Sequence, residues 1–330
     1  MNLLANNPAL ELANKWQRSF PLHPRPFAQI GLGNSLSETE VIEYMQVLTD
    51  QNILSRIGVA IRPNTAGAST LAAMSVPKTQ LDEIAALVSE FSTVNHNYER
   101  EHEINLWFVV TASSRDEVNF TLKSIARQSG LEVLNLPLKR AYHIDLGFPL
   151  DRPAHQSPCY RPPESSFASA VEVEVLKTMQ EGLPLIPHPY AALATRTGHR
   201  ESEFISQLRN LVDRGVVSRF GCILRHRSLG YLANAMTVWD VPDDIVDRIA
   251  HKLAARSEVT LCYRRQRCYP GWPYNLFVMI HGQEREAVLE LISKAEQETG
   301  LCDYPSSILF SRRCFKQRGA NLETQIKGAA

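Results

Sequence analysis

The chain is 330 residues long and 44% hydrophobic, and its 35 basic side chains are balanced by 35 acidic ones. That length and apolar content allow two ordinary domains, each with its own core. Zero net charge argues against a protein whose main task is to coat nucleic acid, because such binding needs an excess of Lys and Arg. No segment approaches the roughly 18 uninterrupted apolar residues of a membrane span, and the amino-terminal MNLLANNPALELANKWQRSF lacks the basic start and long apolar run of a secretory signal, so a cytoplasmic protein without membrane partners is expected. The cysteines (Cys159, Cys222, Cys262, Cys268, Cys302, Cys314) show no metal-ligand spacing and read as reduced thiols of that compartment.

In chain order, Ser37 followed by Glu40 is a capping-box start, and Val41, Tyr44, Met45, Leu48 and Ile53 fall on one helical face. Helix, turn, helix and then a β-hairpin is the order of a winged helix-turn-helix, placed at residues 1–66. Strand-like TLAAMSV, a helix from Thr79 to Phe91, strand-like STVNHNYE and INLWFVVT, a helix from Arg115 to Gln128 and strand-like LEVLNLPLK follow. This β-α-β-β-α-β order is ferredoxin-like and occupies residues 67–148. Prolines at 149, 153, 158, 162 and 163 make residues 149–166 an extended connector. Beyond it, Glu203, Phe204, Leu208, Leu211 and Val212 continue an equivalent helix before strand-like VVSRFGCIL, giving a second winged helix at 167–229. The ferredoxin-like order recurs from Leu232 to Phe315, within 230–330.

The halves are copies of one another. FPLHPRPFA from Phe20 matches LPLIPHPYA from Leu183, and ILSRIGVAIR from Ile53 matches VVSRFGCILR from Val216, both at a spacing of 163 residues. After small insertions NYERE at Asn97 meets CYRRQ at Cys262, NLWFVV at Asn105 meets NLFVMI at Asn275, and LKRAYH at Leu138 meets FSRRCFK at Phe310. The order of the blocks is preserved, so the predicted fold class is α+β, a tandem repeat of winged helix-turn-helix plus ferredoxin-like (βαββαβ) domain. Its two sheets are expected to face each other about a pseudo-two-fold.

This domain order resembles the leucine-responsive (Lrp/AsnC) regulators, which raises DNA binding. A recognition helix needs Lys, Arg, Asn or Gln on its exposed face. SETEVIEYMQVLTDQ carries Glu38, Glu40, Glu43 and Asp50 and no Lys or Arg, and HRESEFISQLRNLVDR is no more than neutral. DNA is therefore not an expected partner.

The basic residues gather on the repeated strands. Arg56 and Arg219 are equivalent, as are Arg62 and Arg225, and Arg100 and Arg265; Lys139 with Arg140 corresponds to Arg312 with Arg313. His96, His102, His226, Arg227 and Arg264 stand near them in sequence. Alternation puts His96, Tyr98 and Arg100 on one strand face and Tyr263 with Arg265 on another, a composition expected to avoid an apolar core. Guanidinium groups clamp carboxylates, and aromatic rings such as Tyr98, Trp107 and Tyr263 stack on flat ligands. The implied ligand is flat and rich in carboxylates.

NHNYEREHEINLWF (Asn95–Phe108), the SRIG turn at Ser55–Gly58, LRHRSLGYLANAMTVWD (Leu224–Asp240) and CYRRQRCYPGWPYNLFVMIHG (Cys262–Gly282) resemble the two subunit types of the siroheme decarboxylase family, here a D-type lobe followed by an L-type lobe. The resemblance covers nearly all the chain outside the connector. It implies conversion of siroheme to 12,18-didecarboxysiroheme by non-oxidative loss of two acetate carboxyl groups in heme d1 biosynthesis. No metal site or cofactor of the protein's own is implied, since the iron is carried by the siroheme substrate. Within that reading His96, His226 and, in reserve, His102 are the proton-donor candidates. Arg100, Arg265, Arg225 and Lys139 lead the carboxylate anchors, with Tyr98, Arg56, Arg62, Trp107, Arg140, Arg219, Arg227, Tyr263, Arg264 and Arg312 completing the binding set. A histidine that ligates the substrate iron, a tetrapyrrole sensor without chemistry, a heme-responsive regulator and a homodimer are the alternatives left open by the residues.

Overall fold

The computed structural model describes residues 7–144, 150 and 167–319. The connector expected at 149–166 therefore lies outside the described residues except for Leu150, and Cys159 lies outside them too. In chain order the elements are α1 (Pro8–Lys15), α2 (Pro26–Leu32), α3 (Glu38–Asp50), β1 (Leu54–Ile61), β2 (Ala68–Met74), α4 (Leu81–Glu90), β3 (Val94–Arg100), β4 (Leu106–Ala112), α5 (Arg115–Ser129), β5 (Leu134–Leu136) and β6 (Leu138–Ile144). The second half continues with α6 (Ala170–Thr178), α7 (Pro189–Thr197), α8 (Glu201–Asp213), β7 (Val217–Leu224), β8 (Ala233–Trp239), α9 (Val246–Ala254), β9 (Val259–Arg265), β10 (Leu276–Gly282), α10 (Arg285–Thr299) and β11 (Ser306–Gln317).

Local chemistry sets the helix ends. Ser37 and Ser169 close capping boxes with Glu40 and Glu172, and Pro26 and Pro189, equivalent in the repeat, open α2 and α7 where a missing N–H costs nothing. Gly130 and Gly300 end α5 and α10 in the left-handed conformation.

Two compact units result, and they are not the two sequence halves. One is built from Met1–Thr65 and Asp145–Tyr231, the other from Ala66–Ile144 and Leu232–Ala330. Each helix-turn-helix block thus associates with its copy, and each ferredoxin-like block with its own.

In the helix-turn-helix unit Phe27, Ile30, Met45, Leu48, Tyr190, Phe204 and Leu208 are fully buried. The Tyr190 hydroxyl donates to Pro21 O at 2.6 Å, tying the second copy to the first. The hairpin expected after each second helix does not form. Each copy supplies a single strand, and β1 pairs antiparallel with β7, so the wing is a ribbon shared by both copies. Gly58 faces Gly221, positions equivalent in the repeat, which puts the pseudo-two-fold through that pair. The exposed side of α3 carries Glu40, Glu43 and Asp50.

In the second unit each copy has the ferredoxin-like strand order, β5-β2-β4-β3 and β11-β8-β10-β9, within one nine-stranded arrangement β5-β2-β4-β3-β11-β8-β10-β9-β6. The final strand of each copy is exchanged. Ser306–Phe310 of β11 pair with β8, while Ser311–Gln317 pair with β3 of the first copy. In the first copy Pro137 divides the same stretch: β5 stays on β2, and β6 crosses to β9. Proline has no N–H for a ladder, which is why one strand becomes two. Leu106, Phe108 and Val110 pack outward onto α4 and α5, whereas Trp107 packs inward with Trp272, Leu136, Met236, Val238 and Leu309. The sheets do face each other across this inner layer. Because the exchanged ladders bind the copies together, a protease site engineered between residues 150 and 167 should, once cut, leave two fragments that co-elute by gel filtration. Separation of the fragments without denaturant would contradict the exchange.

Candidate functional site

The ribbon of β1 and β7 is where charge concentrates. Residues opposed in an antiparallel pair point to the same side, so Arg56, Gly58 and Ala60 share a face with Ile223, Gly221 and Arg219. A Cβ on Gly58 would lie 3.0 Å from Arg56 Nε; the bare glycine gives that side chain its room. Arg219 is only 8% exposed. Its pKa is pushed down to about 10 by burial and by the neighbouring Arg18 and Arg56, with Cys222 opposing. Burial and Arg225 lower Arg56 in turn. Among the described residues no carboxylate pairs with Arg56, Arg219 or Arg225, and Arg56 Nε, Arg219 Nη1 and Arg225 Nε have no acceptor. Cations held together without a counter-ion are costly, and an arriving anion with several oxygens relieves that cost.

His226, in the short 3-10 turn that follows β7, is held down to about 4 by burial and by Arg219. It is neutral at neutral pH in the unliganded chain. Because the folded value lies below the ordinary one of about 6.5, protonation favours the unfolded chain. The stability tied to His226 is fully present above about pH 6.5 and is lost as pH falls toward about 4. Its imidazole resonances should titrate with a midpoint near 4 by NMR; an ordinary midpoint would contradict the cationic environment.

In the sheet unit His96, Tyr98 and Arg100 do share a face, the one that carries Trp107, since Tyr98 opposes Trp107. That face is the inner, apolar layer, contrary to the expectation that such a strand avoids a core. Arg100 resolves the conflict by donating Nη1 to Leu309 O at 3.1 Å, on the strand exchanged from the other copy. Arg265 does the same toward Leu136 O at 3.0 Å. Both sit beside tyrosines, 6.0 Å from the Tyr98 ring and 5.2 Å from the Tyr263 ring, and burial pushes both down to about 10. These two arginines clamp the strand exchange through these bonds, while Arg100 Nε and Arg265 Nε have no acceptor among the described residues. His96 stacks on Tyr98 with centroids 6.2 Å apart.

Other expected site residues are engaged elsewhere. Trp107 is a core residue whose Nε1 donates to Ile104 O at 2.7 Å, so it has no face for a flat ligand. His102 Nδ1 accepts from the Ile104 N–H at 3.0 Å and the ring meets Trp272 edge-on, which fixes a turn. Arg140 pairs with Asp247 at 2.7 Å, and Arg264 with Asp243 and Asp247 at 3.0 and 3.3 Å. Arg312 lies 3.4 Å from Glu101. Arg62 donates Nε to Gly215 O at 2.9 Å. Lys139 and Arg227 are exposed, and Tyr263 is half-buried with its hydroxyl pushed up to about 12 by burial. The helix-turn-helix unit thus brings together Arg56, Arg219, Arg225 and His226 and adds Arg18. Arg18 was missed because its repeat counterpart is Glu181, so recurrence does not mark it, and it lies outside the repeated strands on which the basic candidates were sought.

A ligand-binding fold of the AsnC type with a cationic shared ribbon is the class these features define. Residues 66–143 and 228–316 match the AsnC-like ligand binding domain, and residues 11–54 and 172–217 match the siroheme decarboxylase NirDL-like HTH domain. The chain is 44% identical over 314 residues to the siroheme decarboxylase NirDL subunit of Paracoccus denitrificans (strain Pd 1222), covering 95% of this chain and 96% of that one. It is 30% identical over 310 residues to the siroheme decarboxylase of Hydrogenobacter thermophilus, covering 91% and 90%. It is also similar to the crystal structure of the siroheme decarboxylase NirDL in co-complex with an iron-uroporphyrin III analogue, with a TM-score of 0.68, 25% identity and coverage of 95% and 94%. The chain belongs to the siroheme decarboxylase family.

Proposed function

We propose that the chain is a carboxy-lyase that removes two acetate carboxyl groups from siroheme, giving 12,18-didecarboxysiroheme. Membership of the family supports the reaction. The observation that carries it to this chain's own residues is the cluster of Arg56, Arg219 and Arg225, which have no carboxylate partner among the described residues. A tetrapyrrole bearing six to eight carboxylates, by its own chemistry, matches such a cluster.

In the reaction the bond between the methylene and the carboxyl carbon breaks, carbon dioxide leaves, and the electron pair stays on the methylene, which a proton converts to methyl. Guanidinium groups hold the carboxylates that do not react and orient the ring. His226 begins as a neutral imidazole. A substrate carboxylate seated beside it offsets the field of Arg219 and raises its pKa, so that binding recruits a proton to the place where one is consumed. His96, on its strand with Tyr98, is a second donor candidate. The iron travels with the substrate and the chain contributes positioning and protons.

Anaerobic incubation with siroheme should give two successive losses of carbon dioxide by mass spectrometry. His226→Ala should slow turnover about a hundredfold or more, the usual scale of a lost acid, while tetrapyrrole binding persists. Binding with no change of mass would make the protein a sensor or carrier.

A further inference from the structure

Arg56 and Arg219 occupy equivalent positions on the shared ribbon, yet the chain gives their stems different surroundings. The ladder slips by one residue at Ser55 and again at Ser218, so each arginine follows an extra residue that re-aims it. Beyond that point the symmetry fails. Arg56 leans along its own strand over Gly58, where a Cβ would lie 3.0 Å from Nε, 3.3 Å from Cδ and 3.4 Å from Cγ. The corresponding place over Gly221 is filled by main chain, with Gln17 C and O 2.4 Å and Trp16 O 2.5 Å from a Cβ there. Arg219 has no equivalent path across its glycine.

The other wall around Arg56 comes from the second copy. Gly182 follows α6, in the stretch that the Leu183 N–H ties to β1 by donating to Ile57 O at 2.7 Å. A Cβ on Gly182 would stand 2.8 Å from Arg56 Cβ, 3.2 Å from Ile57 O and 3.5 Å from Arg56 Cδ. Arg56 Cβ is the root of its side chain and cannot swing aside, and Ile57 O belongs to the strand. Gly182 has a φ of +101°, and its repeat counterpart Ser19 also has a positive φ, of 53°. A turn at this place carries a side chain in one copy; in the other the close approach to Arg56 forbids it.

We infer that Gly182 is a positioning residue for tetrapyrrole binding: with Gly58 it forms a slot that holds the Arg56 stem and fixes where the guanidinium meets a substrate carboxylate. The inference rests on the decarboxylase reading, in which Arg56 is a carboxylate anchor. Arg56 Nε has no acceptor among the described residues, so packing of the stem does the ordering there. A guanidinium ordered before the ligand arrives gives up less freedom on binding.

The test is a titration of the full chain with iron uroporphyrin, read by its Soret absorbance, for Gly182→Ala alone and in an Arg56→Gln background. Gly182→Ala should weaken binding about tenfold in the first and less than about twofold in the second, because contacting residues are coupled and independent ones are additive. Its effect on melting temperature should be alike in both, since Gln at position 56 keeps the Cβ. Gly198→Ala, at a left-handed glycine with nothing within 4 Å of its Cβ, carries backbone strain alone and should leave affinity unchanged. Where Gly182→Ala does not fold, Gly58→Ala decides through the other wall: its loss of affinity should likewise vanish in the Arg56→Gln background. Equal weakening in both backgrounds, or a folded Gly182→Ala chain with undiminished affinity, would overturn the slot and leave the decarboxylase reading standing. No binding by the unmodified chain would overturn the tetrapyrrole reading itself.

Discussion

Arg219→Gln is expected to weaken tetrapyrrole binding by at least about a hundredfold without lowering the melting temperature of the unliganded chain. Removing one partner of a buried charged contact costs roughly 2–5 kcal/mol, and each 1.4 kcal/mol is about tenfold in affinity. The unliganded chain responds oppositely. Arg219 is buried against Arg18 and Arg56, with no carboxylate pair among the described residues. Its neutral replacement removes a like-charge repulsion and the cost of burying the ion, so thermal unfolding should occur at the same or a higher temperature. His226 supplies an independent reading: with Arg219 gone, its imidazole should titrate closer to the ordinary value. A large drop in melting temperature, with binding intact, would make Arg219 a structural residue.

The two glycines on the pseudo-two-fold should give different phenotypes from one and the same substitution. Gly221→Ala puts a Cβ 2.4 Å from the carbonyl carbon and oxygen of Gln17 and 2.5 Å from Trp16 O, all backbone atoms. That backbone is held to the strand, since the Cys222 N–H donates to Trp16 O at 2.8 Å and the Phe20 N–H to Phe220 O at 3.2 Å. It cannot yield without breaking these bonds, and overpacking of this kind costs about 1–3 kcal/mol or more. Gly58→Ala meets the flexible Arg56 side chain, at 3.0 Å from Nε and 3.3 Å from Cδ. Arg56 can swing away, so stability should be nearly kept while ligand affinity falls. Denaturant unfolding and ligand titration of both variants decide the matter. Equal loss of stability in the two would show that Arg56 is as rigidly held as the backbone.

Much of the architecture was legible because it rests on local chemistry. Capping boxes at Ser37 and Ser169, alternation in INLWFVV and the duplication itself are written in adjacent residues. Strand partnership is not. ILSRIGVAIR reads as a strand in search of a hairpin mate, and nothing nearby in the chain says that its mate is β7. LEVLNLPLK reads as one strand, and only Pro137 marks the place where it leaves one sheet for another. The inner face of β3 misled for a related reason: His, Tyr and Arg look incompatible with a core until a carbonyl from an exchanged strand is there to accept from Arg100. Within the site, Arg56, Arg219, Arg225 and His226 were found from recurrence and composition. Arg18 was hidden because it lies outside the repeated strands and the repeat does not carry it, Arg on one side and Glu181 on the other.

The exchanged strands also bear on partner choice. The main-chain ladder between β11 and β3 and that between β6 and β9 are made by backbone groups common to both copies. Two identical halves could form ladders of the same kind, so the sheet by itself discriminates weakly between like and unlike pairs. Covalent fusion supplies the discrimination as an effective concentration, holding each half beside its unlike mate from the moment of synthesis. Under that guarantee the two copies are free to drift apart, so that Arg18 stands where the other copy has Glu181, and His226 where the other has Pro63.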